Sequence, residues 1–239
     1  AIGPLHSRPR TRTLDGSRQV AAFGTDEFLA LCKRWRAAPL ITVNIATGTP
    51  AEAADWVRYV NGGRTDLPRV RHWEIGNEPY LKAHFPEAEI GAAEYVRRAD
   101  AFISAMRRVD PSIVVGLAMR NDTLGGVEAT PFPGFARTVL AGVRERFDFV
   151  SLHGSYFPVT FTKRETPEQL FLATMAGAEV MADDWRTTRD LLREHRRSEQ
   201  IALAVTEYNA LYSTDILRWG LASLLLSRTD RYIESMAGP

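Results

Sequence analysis

The chain has 239 residues, 45% of them hydrophobic and 25% charged, which suits one large globular domain or two small ones and is too apolar for a disordered polymer. Lys plus Arg number 30 against 29 Asp plus Glu, and the net +1 supplies no field for gripping nucleic acid. Cys32 is the only cysteine, which excludes an intrachain disulfide and a thiolate-rich metal site, and the longest apolar run, 220–226, is too short to span a bilayer.

The opening, Ala1-Ile-Gly-Pro-Leu-His-Ser-Arg-Pro9, lacks the apolar core of a signal peptide and reads like the middle of a loop. A fragment is therefore expected, and the compartment stays open. Thr25-Asp-Glu-Phe28 opens the first helix, with Phe28, Leu29 and Cys32 at helical spacing. Leu40-Ile-Thr-Val-Asn44 is the first strand. Thr49-Pro-Ala-Glu52 then starts a helix with an N-cap threonine, a proline and an acidic first turn. Further along, strands are expected at 70–75, 113–117, 147–152 and 201–205, and helices at 92–109, 133–146 and 214–235. The segment 167–195 reads as one helix or two, and Arg193-Glu-His-Arg-Arg197 as its solvated, positively charged end.

The strands are short, rich in Val, Ile and Phe, and continuously apolar, the pattern of parallel strands covered on their faces. Such alternation with helices restricts the architecture to a doubly wound sheet or a (β/α)₈ barrel, and composition does not choose between them. No Gly-x-Gly-x-x-Gly follows a strand, and Gly62-Gly63 comes after a helix, so a dinucleotide-binding fold lacks its best marker. Without internal repeats or a low-complexity linker, residues 1–239 read as one domain.

Two stretches carry chemistry. Arg71-His-Trp-Glu-Ile-Gly-Asn-Glu-Pro-Tyr80 is an apolar strand running into a turn, and Ile201-Ala-Leu-Ala-Val-Thr-Glu-Tyr-Asn209 repeats the design downstream. Each delivers one glutamate, Glu78 or Glu207, to the point where its strand ends. A lone glutamate there is usually a cap or an ion-pair partner. Two in matching positions suit a retaining glycosidase, whose carboxyls stand roughly 5–5.5 Å apart, one protonated and one ionised. Gly76 leaves room for a close approach, and Asn77 can donate to a sugar hydroxyl. Asn44, just past a strand, serves equally as a loop former or a ligand contact. Trp73 reads as core, and Tyr80 and His84 either fold their loop, the favoured reading, or line an outer subsite.

The chain resembles the retaining (β/α)₈ glycosidases that carry the acid/base on the fourth strand and the nucleophile on the seventh, and is most similar to α-L-arabinofuranosidases of glycoside hydrolase family 51. The likeness rests on Phe23-Gly-Thr-Asp-Glu-Phe28, Val43-Asn-Ile-Ala-Thr-Gly-Thr49, Ala53-Ala-Asp-Trp-Val-Arg-Tyr-Val-Asn61, Trp73-Glu-Ile-Gly-Asn-Glu-Pro79, Asp110-Pro-Ser-Ile113, Ser151-Leu-His-Gly-Ser-Tyr156 and Val205-Thr-Glu207, in the family's order. It implies an incomplete (β/α)₈ TIM barrel comprising about strands three to seven, without the accessory β-sandwich. It implies Glu78 as acid/base, Glu207 as nucleophile, Asn77 on the sugar 2-hydroxyl, and His153 and Tyr156 beside the nucleophile. Gly154-Ser155 between the last two departs from the family pattern. No metal or organic cofactor is implied. The partner that the resemblance implies is an arabinose-containing oligosaccharide or polysaccharide rather than nucleic acid or membrane, with a homo-oligomer allowed. Alternatives are a retaining enzyme for β-linked sugars, such as a xylosidase or glucanase, and a non-catalytic carbohydrate-binding fragment. A nicotinamide-dependent oxidoreductase is remoter still.

Overall fold

The computed structural model describes residues 5–8, 10–12, 18–80, 90–124, 127–128, 133–153, 155–160, 165–195 and 200–212. The chain forms two compact units, Ala1–Ala118 with Gly142–Phe149, and Met119–Ala141 with Val150–Pro239.

In the first unit an antiparallel hairpin pairs β1 (Arg10–Arg12) with β2 (Arg18–Val20). Helices and strands then alternate: α1 (Thr25–Trp35), β3 (Leu40–Val43), α2 (Pro50–Asn61), β4 (His72–Ile75), α3 (Ala92–Val109) and β5 (Val114–Met119). Capping chemistry places the helix starts. The Thr49 hydroxyl accepts from the Glu52 N–H at 3.2 Å, the Glu52 carboxylate accepts from the Thr49 N–H at 2.7 Å, and Pro50 occupies the first turn. α1 begins at Thr25 as expected, with Gly24 as its cap and the Glu27 carboxylate accepting from the Gly24 N–H at 2.9 Å.

β3, β4 and β5 run parallel, Leu40 opposite His72 and His72 opposite Val114. Trp73, Ile75, Val115 and Leu117 are fully buried, as are Val57, Ile103 and Met106 on the helices. That double covering explains the continuous hydrophobicity of the strands. Gly116 in β5 is where a side chain cannot stand: a Cβ there would run into the Phe149 ring. Asp110 ties the exit of α3 to its surroundings, accepting from Asn61 Nδ2 at 2.8 Å, Arg69 at 2.7 Å and the Ser112 hydroxyl at 2.7 Å. Burial alone would raise its pKa, but the hydrogen bonds from Arg69, Ser112 and Asn61 prevail and hold it at about 2.

The second unit holds the β6 (Thr123–Leu124) and β7 (Val127–Glu128) hairpin and α4 (Phe135–Gly142), which runs back into the first unit at Gly142. β8 (Phe149–Leu152), β9 (Ser155–Thr160), α5 (Pro167–Met175), α6 (Gly177–Glu194), β10 (Ala202–Val205) and β11 (Tyr208–Tyr212) follow, with Phe149 alone of β8 in the first unit. β10 lies beside β8, and β11 pairs in parallel with β9. Asn121 Nδ2 donates to Asp184 Oδ1 at 2.7 Å and to Thr188 Oγ1 at 2.8 Å, fixing the chain beyond β5 to α6. Asp184 is buried, and burial pushes its carboxyl up from the ordinary range despite the Asn121 hydrogen bond.

All five expected strands are present, with trimmed ends or, for β5, a short extension. The helix expected over 133–146 is shorter, ending at Gly142. Beyond it the N–H groups of Arg144 and Glu145 turn to the Asp100 carboxylate, at 2.9 and 3.0 Å, instead of helical carbonyls. The segment 167–195 is two helices, broken at Ala176. The helix expected over 214–235, His84 and Arg196-Arg197 lie outside the described residues. No helix among the described residues is long and apolar enough to cross a membrane.

Candidate active site

The loop after β4 is built around a close approach. Gly76 has φ 82°, and a Cβ on it would collide with Ile45 Cγ2, so the room inferred from the sequence is filled by a side chain of the loop after β3. Asn77 is exposed and Glu78 half-buried, while Pro79 and Tyr80 are buried. Glu78 itself has φ 40°, a left-handed backbone that a glutamate adopts only under constraint. The loop is anchored on both sides. The Tyr95 hydroxyl donates to the Ile75 carbonyl at 2.7 Å and accepts from the Ala118 N–H at 2.9 Å, clamping the C-terminal ends of β4 and β5. Farther on, the Ile90 N–H returns to the Pro79 carbonyl at 2.8 Å. Burial drives the Tyr95 phenol well above its usual value, so it stays neutral and keeps both hydrogen bonds.

Sequence reasoning missed Tyr95. The signal was a tyrosine on the apolar face of α3, since a buried hydroxyl needs a partner. It also passed over Glu74, a buried carboxylate on the face of β4 opposite Trp73 and Ile75, which accepts from the Thr42 hydroxyl at 2.7 Å. Asn44 shapes its own loop: its Nδ2 donates to Thr47 Oγ1 at 2.8 Å and its Oδ1 accepts from the Thr47 N–H at 3.1 Å. Trp73 is core, as expected, with its ring edge-on to Trp56 at 6.0 Å between centroids. Tyr80 is fully buried, consistent with folding the loop.

In the second unit the structure brings His153 and Glu207 together. His153 follows β8 and is 1% exposed; Glu207 follows β10 and is half-buried. His153 Nδ1 stands 3.7 Å from Glu207 Oε1, and Nε2 is 2.8 Å from Thr206 Oγ1. Strand pairing also draws Tyr156 to this region, since its backbone on β9 lies opposite Asn209 of β11, two residues past Glu207. Asn44, Asn77 and Glu78 belong to the first unit.

β3, β4 and β5 run parallel and alternate with helices, and one glutamate follows β4 while another follows β10, an arrangement shared with the β/α-barrel glycoside hydrolases. The α-L-arabinofuranosidase 1 domain matches residues 1–130, and the chain belongs to that family, the α-L-arabinofuranosidases of glycoside hydrolase family 51. It is similar to the intracellular exo-α-(1→5)-L-arabinofuranosidase of Streptomyces lividans, 28% identical over 234 residues that take in 90% of this chain and 33% of that protein. The structure of an α-L-arabinofuranosidase from Thermotoga maritima in an arabinose complex superposes with a TM-score of 0.70 at 25% identity, covering 90% of this chain and 43% of that one. The family 51 α-L-arabinofuranosidase of Thermotoga petrophila gives 0.67 at 26% identity, with the same coverage of 90% and 43%. The fold is accordingly part of a (β/α)₈ barrel, and the chain spans well under half the length of these relatives.

Proposed function

We propose that the protein removes terminal α-L-arabinofuranosyl residues from arabinose-containing oligosaccharides or polysaccharides by double displacement, and that residues 1–239 form part of its catalytic barrel. The observation that carries this reading is the pair of glutamates just past the C-terminal ends of β4 and β10 in a chain of this family. Glu78 protonates the departing glycosidic oxygen while Glu207 attacks the anomeric carbon, giving a glycosyl-enzyme. Water then attacks that carbon, Glu78 takes its proton, and Glu207 leaves with the bonding pair. The left-handed backbone at Glu78 supports its assignment, because strain of this kind collects where side-chain placement matters more than stability. The buried imidazole beside Glu207 supports the other. Asn77 is assigned to the sugar 2-hydroxyl and Tyr156 to orienting the nucleophile. Asn44 would reach substrate only by giving up its turn.

The full-length protein should hydrolyse p-nitrophenyl α-L-arabinofuranoside, and Glu78→Ala and Glu207→Ala should each lower kcat by about 10³-fold or more. Azide should restore turnover in the Glu78 variant, giving an arabinosyl azide of retained configuration, whereas any azide product from the Glu207 variant should be inverted. A folded protein inactive on this substrate but active on the matching β-xyloside or β-glucoside would move the assignment to β-linked sugars. Inactivity on all three would favour a binding protein.

A further inference from the structure

Thr206 stands immediately before the proposed nucleophile, and its hydroxyl is the recorded hydrogen-bond partner of His153 Nε2, at 2.8 Å. A neutral imidazole carries one proton, and a hydroxyl can either donate or accept, so this contact alone leaves two arrangements open. The other ring nitrogen decides between them. His153 Nδ1 is 3.7 Å from Glu207 Oε1, longer than a hydrogen bond yet close enough for the sign of the facing atom to matter. A lone pair on Nδ1 would be turned toward an anion; an N–H there would be attracted by it and could close to hydrogen-bond length when substrate is bound. The carboxylate therefore selects the tautomer protonated on Nδ1. Nε2 is then an acceptor, and Thr206 must donate. With His153 1% exposed, solvent is poorly placed to replace that donor.

The geometry points to Thr206 as a positioning residue: its hydroxyl donates to His153 Nε2 and so fixes the imidazole in the tautomer that presents Nδ1–H to Glu207. The inference rests on the proposed role of Glu207, but the proton's position can be read without substrate.

In full-length protein labelled with ¹⁵N-histidine, long-range ¹H–¹⁵N correlations of His153 at neutral pH should show a protonated Nδ1 and an unprotonated Nε2. Thr206→Val keeps the shape and removes the hydroxyl. It should shift the Nε2 resonance or mix the tautomers and lower kcat on an arabinofuranoside by ~10- to 100-fold with a smaller change in KM, the scale seen when an orienting partner is lost. Thr206→Ser should restore both readouts to within about 3-fold of wild type in rate, because it returns the donor. An Nε2–H tautomer, or a doubly protonated ring, in the unmodified protein overturns the proposal even if Thr206→Val does not fold. Unchanged ring resonances and kcat in Thr206→Val overturn it as well. A wild-type protein with the Nδ1–H tautomer but no glycosidase activity leaves the proton assignment standing and sinks the function it would serve.

Discussion

Two residues gain their meaning from what surrounds them rather than from what they are. Gly76 carries a positive φ and lies against Ile45, so Gly76→Ala meets a steric clash and a conformational one together. It should cost about 2–4 kcal/mol by denaturant unfolding, and its damage to kcat should exceed that of any substitution at exposed Asn44. Asp184 shows the opposite sign. Its carboxyl is pushed up by burial, so the fold favours the protonated form, and the stability this group contributes is present at low pH and lost as pH rises through its folded value. Asp184→Asn keeps the oxygen that accepts from Asn121 and removes the buried charge. It should raise the melting temperature at pH 7, with the difference closing below about pH 4, as followed by melting temperature against pH.

Elements were legible where local chemistry and tertiary packing agree. The limits expected for α3 coincide with those found, because its apolar face, basic last turn and following Asp110-Pro111 all give the same boundary. α2 is equally transparent: Thr49→Ala should cost about 1 kcal/mol of stability, the usual loss on removing a side-chain cap. Reading failed where backbone groups find partners far away in sequence. Nothing near Arg144 announces that Asp100 will take its N–H, and Pro158 argues against the strand β9, which is tolerated because its recorded pairing is with β11 alone among the described residues. Of the site, the two glutamates were visible as repeated strand-end positions, whereas Tyr95, Glu74 and the bond from Thr206 to His153 depend on contacts no spacing encodes. Asp110 belongs to this scale too, since it joins the exit of α3 to Arg69 and Asn61. Its carboxyl lies below the ordinary value, so its contribution is complete above about pH 4 and is lost as pH falls toward about 2. Asp110→Asn should remove the part of the acid denaturation curve that falls in that window.

At the scale of the molecule, most of the chain, 90% of it, superposes on an arabinofuranosidase barrel whose remaining length it does not span. Sugar preference is therefore a property to be measured on the full-length protein, since loops at the mouth of a barrel rather than the strands set it. The backbone at position 78 suits glycine or asparagine and burdens any other residue by about 1–2 kcal/mol. Glu78→Asn should thus melt higher than Glu78→Gln, although both lack the carboxyl. Where the proposed acid/base role is no longer selected, substitution at this position should favour those two residues, because either relaxes the chain. On the proposed role, a relative with glycine or asparagine here would lack the proton donor, and the relief of its backbone should make it steadier than a relative that keeps the glutamate.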